Sequence, residues 1–248
     1  MGEYNAYDFI SIQYNYHYTG LHGIIDFIRR FSNKPIWVAD AASATLLGRH
    51  QRLKGEYTKN KHPYLSEKEI AGILSNLHHP RYKEINEWWE AEKARITFKK
   101  IITAASLGIE HIFIQFILDM ESNPLEGDEA GVNPWNYSGL LGKDGKSRPV
   151  VYMIKLFNEK LKGFSKVEDI SQREGNSSDD WIMHYRFTIG KKKLDVLWTD
   201  GTDKKYNLTN RKMSITHIIE STDSMAKVET VDGSKLIISR RPVIVEVE

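Results

Sequence analysis

The sequence contains no cysteine. Disulfides, thiolate metal sites and cysteine nucleophiles are therefore excluded together. The absence fits a reducing compartment, although a disulfide-free secreted enzyme has the same composition. The start, Met1-Gly2-Glu3-Tyr4-Asn5-Ala6-Tyr7-Asp8, has neither a basic nor an apolar leader region, so no signal peptide is visible. No apolar run approaches the roughly 18 residues of a membrane helix, so a soluble protein without a membrane partner is expected and no compartment is assigned. Charge of one sign is also scarce: 35 Lys and Arg against 33 Asp and Glu leave a net +2. That small surplus gives no reason to expect a nucleic-acid partner. His50, His62, His78 and His79 follow no metal-ligand spacing, so neither metal nor cofactor is expected. Internal repeats and low-complexity tracts are lacking too.

What is present is an ordinary globular balance, 40% apolar and 27% charged over 248 residues, enough for one large domain or two modest ones. Six Trp and twelve Tyr suit sugar-stacking surfaces and plain core packing alike. Residues 9–14 read as a short strand. Residues 21–31 read as a helix with Ile24, Ile25, Phe27, Ile28 and Phe31 on one side, broken by Ser32-Asn33-Lys34-Pro35. Residues 36–39 form a second buried strand ending at Asp40. A polar stretch of about fifty residues follows, with helices expected at 66–77, where Ser66 and Glu69 make a capping box, and at 81–90. A further helix over 91–107 stops at Gly108, a third strand covers 109–118, and residues 149–161 are helical. This β-α-β-α-β-α order with almost wholly apolar strands is the pattern of parallel strands buried on both faces. After Gly163 the chain changes to short strands at 181–189, 194–198, 204–208, 213–217, 226–231, 235–239 and 243–247. Asp200-Gly201 and Asp232-Gly233 are read as hairpin turns of a second, all-β sandwich domain. The expected division is 1–162 and 163–248.

Three segments together resemble the clan A glycoside hydrolases, a (β/α)8-barrel group. Lys34-Pro35-Ile36-Trp37-Val38-Ala39-Asp40 is similar to the strand that carries the nucleophilic glutamate at the C-terminal end of strand seven. Tyr7-Asp8-Phe9-Ile10-Ser11-Ile12-Gln13-Tyr14-Asn15 resembles strand six. Gly139-Leu140-Leu141-Gly142-Lys143-Asp144-Gly145-Lys146, with Pro149-Val150-Val151-Tyr152 and Lys160-Leu161-Lys162-Gly163-Phe164, resembles the run into the last barrel helix. The β-domain, with Val196-Leu197-Trp198 and Arg241-Pro242-Val243-Ile244-Val245-Glu246, resembles the sandwich appended in several of these families. The resemblance implies an α/β fold, the C-terminal part of a (β/α)8 TIM barrel (about strands 6–8) followed by a small all-β sandwich domain. It implies a carbohydrate, an oligo- or polysaccharide, as substrate. It departs from the family at Asp40, which stands where glutamate is usual, and in lacking strands one to five with their acid/base pair. The expected protein is thus a truncated or split glycoside hydrolase, or a non-catalytic carbohydrate-binding or structural fragment. A complementary barrel fragment or self-association is the expected protein partner.

Retaining glycosidases need two carboxyl groups about 5–5.5 Å apart, one to protonate the leaving oxygen and one to attack the anomeric carbon. Asp40 occupies the attacking position, on a side chain about 1.5 Å shorter than glutamate. A displacement of that size can cost on the order of a hundredfold in rate. It acts as a nucleophile on a shifted backbone, as a base through water, or not at all; a helix-capping loop residue is the bland alternative. Gln13, Tyr14, Asn15 and Tyr16 carry donors suited to sugar hydroxyls, and by resemblance Tyr14, or Tyr16 in its place, hydrogen-bonds the nucleophile; a half-buried aromatic strand end explains them equally. Gln115 and Phe116 fall where the clan often places a tryptophan beneath the sugar. Trp88 and Trp135 are candidate sugar platforms, with Trp89 facing elsewhere than Trp88 on a helix. Trp37 is expected to point outward into the helix layer, since strand alternation sets it opposite Val38 and Asp40.

Overall fold

A computed structural model describes residues 8–14, 18–42, 65, 67–115, 117–118, 139–142, 144–174, 180–208, 212–218, 226–232 and 236–247. The chain divides into two compact units, Met1–Val150 and Val151–Glu248.

In the first unit, β1 (Ile10–Gln13), β2 (Ile36–Ala42) and β3 (His111–Gln115) form a parallel sheet in the order β1-β2-β3. The expected parallel, adjacent strands are present. Helix α1 (Leu21–Arg29) links β1 to β2, while α2 (Glu67–Leu74) and α3 (Tyr82–Ser106) lie between β2 and β3 in sequence. Ile10 and Ile12 of β1, Ile36, Val38 and Ala41 of β2 and Ile112 and Ile114 of β3 pack with Leu21, Ile25 and Ala104. One face of the sheet is therefore sealed by helices. On α1 the buried stripe is Leu21 and Ile25, whereas Phe27 and Phe31 are exposed and meet each other edge-on at 5.1 Å. Their assignment to the same side as Ile24, Ile25 and Ile28 is corrected: at 100° per residue Phe27 falls off that stripe, and Phe31 lies beyond the end of the helix at Arg29.

Residues 81–107 make one helix rather than two. No proline or glycine interrupts 82–106, so nothing stops propagation across Glu90 and Ala91. The helix ends as expected at Gly108, which takes φ 67°; its N–H donates to Ala105 O, and the N–H of Ile109 donates to Ala104 O, a left-handed cap of the Schellman type. Trp89, Ile85 and Ile96 pack on Ile70, Ile73 and Leu74 of α2. The second half of α3 is covered on every side, charged residues included. Glu90, Glu92, Lys93, Lys99 and Lys100 are all buried. Pairing makes this tolerable: Lys93 Nζ lies 3.0 Å from Glu90 Oε2 and donates to Gly139 O at 3.1 Å, Arg95 reaches Glu92 at 2.8 Å, and Arg148 contacts Glu90.

The division between the units falls in the first turns of α4 (Pro149–Lys160), which opens on proline, the residue best suited to a first helical position. The second unit holds β4 (Lys166–Asp169), β5 (Ile182–Ile189), β6 (Lys192–Thr199), β7 (Lys204–Tyr206), β8 (Lys212–Ile218), β9 (Ala226–Asp232), β10 (Leu236–Ile238) and β11 (Val243–Val247). Six strands make an antiparallel sheet, β4-β5-β6-β11-β8-β9, and β7 pairs with β10 in a separate ribbon. Leu197, Ile215, Val243 and Val245 from the sheet meet Leu236 and Ile238 from the ribbon. Trp198 is fully buried and stacks on Tyr185 at 5.3 Å.

Asp200-Gly201 does not join two paired strands: β6 and β7 belong to different sheets, so it sits at a sheet-to-ribbon crossing, while Gly233 of the other pair lies outside the described residues. The two-residue hairpin is instead Gly190-Lys191, between the paired Ile189 and Lys192, with Gly190 at φ 59°. That backbone is unfavourable for any residue with a Cβ, so Gly190→Ala is expected to cost about 1–2 kcal/mol. The urea midpoint of the second unit measures it, and an unchanged midpoint would refute the requirement for glycine.

Candidate functional site

The C-terminal ends of β1, β2 and β3 come together because the strands are parallel and in sequence order. Gln13 pairs in register with Asp40, and Ala42 with Gln115. Between Ile12↔Val38 and Gln13↔Asp40 the register slips by one residue, leaving Ala39 as a β-bulge. Bulges of this kind re-aim the residues that follow them. The backbone thus brings Gln13, Asp40 and Gln115 to one end of the sheet. The Asp40 side chain lies outside the described residues, as do Asn15, Tyr16, Phe116 and Trp135, together with His50 and His62.

Gln13 is exposed at the end of β1. Gln115 is half-buried, and its Oε1 is closed off from solvent with no hydrogen-bond partner among the described residues. An acceptor held in that state is costly unless something donates to it. Tyr14 is not brought together with these two. It is 1% exposed and belongs to the cluster under the helices, with Leu21, Ile25 and Val38. The Lys100 ammonium stands 5.9 Å from its ring centroid. Its place follows from the strand period: Gln13 is on the exposed side, so the next residue turns under α1. Trp88 is also no free platform, because it packs half-buried against the α2–α3 cluster with its ring centroid 6.3 Å from that of Trp89.

Trp37 lies on the other side of the sheet from that expected. Ile36 and Val38 face the helices, so Trp37 turns to the opposite face, where it stacks on Phe9 at 4.1 Å and 13° and meets His111 edge-on at 4.5 Å. The outward assignment carried strict alternation back from Asp40, and the extra residue at Ala39 breaks that alternation. Phe113 completes the group at 6.2 Å from Trp37. The signal was present in the sequence as the odd-numbered set Phe9, Ser11, Gln13 and His111, Phe113, Gln115, a second apolar-to-polar series on the face away from the isoleucines.

Burial drives the pKa of the Lys100 amine, beside the Tyr14 ring, down to about 7. Lys99 stands likewise 5.9 Å from the ring centroid of Tyr18. In the second unit a polar cluster went unread in the sequence. Arg186 holds Asp195 by two hydrogen bonds, 2.7 and 2.9 Å, across the β5–β6 pair. His184 Nδ1 is 3.1 Å from Tyr206 Oη, and its Nε2 lies 3.3 Å from Asp195 Oδ1 but off the hydrogen-bonding direction. Burial pushes the Asp195 carboxyl up, yet His184 and Arg186 together outweigh it and hold the group below the usual carboxylate range. Burial also raises the Tyr206 phenol.

Among the described residues no three His, Asp or Glu side chains gather as a metal site, and no helix is long and apolar enough to cross a membrane. The sequence matches no protein-family model and no curated protein.

Proposed function

We propose that this chain is the strand-six-to-eight portion of a (β/α)8 glycoside hydrolase-like protein, with an appended β-domain, acting on O-glycosidic bonds of an oligo- or polysaccharide. The observation that carries the reading is the parallel order β1-β2-β3, with Asp40 at the C-terminal end of the middle strand and Gln13 and Gln115 on either side in register. Barrel enzymes build their sites at that end of the strands. Here Asp40 takes the role of nucleophile or base, and the unsatisfied Gln115 Oε1 is an acceptor suited to a sugar hydroxyl. The acid/base comes from barrel strands other than these three. A second reading, binding without cleavage, is favoured by the aspartate in the glutamate position.

The test is turnover of aryl glycosides by the 248-residue chain. None is expected, because the reaction needs a second carboxyl group from another strand. Turnover abolished by Asp40→Ala would show that the acid lies within this chain. Supplying the remaining strands should restore hydrolysis, and saccharide binding without it would favour the second reading.

A further inference from the structure

The hairpin that joins β5 to β6 carries Lys191, Lys192 and Lys193 at its tip and on the first residues of β6, all three exposed. The antiparallel register sets what lies beside them. Glu168, Arg186 and Asp195 stand opposite one another in a row across β4, β5 and β6, and Lys166, Thr188 and Lys193 form the row two residues nearer the turn. Strand alternation puts both rows on the same face of the sheet. At this end of the sheet Arg186, Lys191, Lys192, Lys193, Asp195 and Glu246 line a cleft of about 420 Å3.

Both carboxylates of the cleft are already taken. Asp195 accepts two hydrogen bonds from Arg186, and Glu246 pairs with Lys192 at 2.8 Å. The neighbouring Glu168 is held by Lys166 at 2.7 Å. Lys191 and Lys193 make no hydrogen bond or ion pair among the described residues, so two positive charges are left over. The surplus is felt nearby: the Glu168 carboxyl is held below its ordinary value, first by the hydrogen bond and charge of Lys166 and then by the charges of Lys193 and Arg186. Like charges crowded beside a turn weaken a hairpin, so folding does not account for them. An anion does. A phosphate monoester carries close to two negative charges at pH 7, and lysine ammonium groups bind phosphate as point charges. A sulfate ester or a carboxylate, with a single charge, leaves one lysine uncompensated. The cleft is larger than a bare ion and falls in the size range of small-molecule sites. Among the described residues no aromatic side chain lines it, so a nucleobase has nothing to stack on, whereas a hydroxylated body suits the charged walls.

We propose that the cleft beside the Gly190-Lys191 turn binds the phosphate monoester of a small hydroxylated molecule such as a sugar, with Lys191 and Lys193 supplying the charge that meets the phosphate. The site lies wholly in the second unit and stands independently of the barrel reading. The experiment is calorimetric titration of the 248-residue chain with glucose 6-phosphate, inorganic phosphate and glucose at low salt. Glucose 6-phosphate should bind, and raising the salt from about 50 to about 300 mM should weaken it severalfold through screening. Lys191→Gln with Lys193→Gln should weaken binding by about tenfold or more, since two charged donors are lost. Lys205→Gln, on the outer side of the β7–β10 ribbon beside the exposed Ile237, should leave it unchanged. Glu246→Gln, which releases Lys192 from its pair, should tighten binding, a result that damage to the fold would not produce. Inorganic phosphate binding as tightly as the sugar phosphate would support the anion site and name the free ion as its occupant. Unchanged affinity in the double lysine variant would overturn the proposal. So would glucose binding as well as its phosphate, or no binding of either phosphate.

Discussion

Replacing Lys100 by methionine is expected to stabilise the first unit by up to about 4 kcal/mol at pH 7. The side chain is 1% exposed, and burial alone brings its amine from the ordinary lysine value to about 7. At about 1.4 kcal/mol for each tenfold, that depression sets a ceiling of about 5 kcal/mol. Methionine fills a similar length without the charge, and the contact with the Tyr14 ring, worth about 0.5–2 kcal/mol, is lost. The sign of the pH dependence is fixed by the same depression. Between about 7 and 10.4 the unfolded lysine is protonated and the folded one is not, so the unfolded state binds more protons and stability rises with pH across that window. Below about 7 both forms are protonated and the full burial cost is felt. Urea unfolding at pH 7 and pH 9.5 tests both parts: the native chain should gain stability between the two and Lys100→Met should lack that gain. A variant less stable than the native protein at pH 7 would mean that the ammonium is held by partners strong enough to outweigh its burial.

Asp195→Ala should destabilise the second unit by about 3 kcal/mol. Removing one member of a buried pair leaves the other uncompensated, which costs about 3–5 kcal/mol. The lower end applies because the Arg186 side chain, 31% exposed, can turn toward water, while His184, 2% exposed, cannot. Its carboxyl is held below the usual range, so its contribution is present above the unfolded value of about 4 and is lost as the pH falls through the lower, folded value. Asp195→Asn should therefore lose stability at pH 7 and show a shallower acid limb below pH 4. A change of less than 1 kcal/mol at pH 7 would show that the cluster is solvated in practice.

The strands and helices that bury a single apolar stripe were legible in the sequence, and β11 matches its expected span residue for residue. The parallel sheet followed from uninterrupted Ile and Val runs. Three kinds of feature were not legible. The bulge at Ala39 has no residue signature, and it alone inverts the side assigned to Trp37. The burial of α3 on all sides depends on segments distant in sequence, as with Gly139 and Arg148, so nothing local marks its charges as enclosed. Strand β4, Lys166-Val167-Glu168-Asp169, carries one apolar residue in four and looks like a loop. Its charged side chains, with Lys166 and Glu168 paired at 2.7 Å, suit an edge strand that must not recruit another chain. Of the candidate site, backbone register placed Gln13, Asp40 and Gln115 together, while Tyr14 went under the helices because its neighbour Gln13 took the open side.

The enclosed half of α3 has a kinetic consequence. The helix is 25 residues long and free of proline and glycine, so its local contacts can form on the sub-microsecond scale of helix growth. Its charges cannot leave water that early, because Lys93 is satisfied by Gly139 O, 46 residues along the chain, and Glu90 by Arg148. Those loops must close first, at an entropic cost that grows with their length. The slow step of folding in this unit is then the arrival of residues 139–148 at a helix already formed, with the lysines dehydrated last.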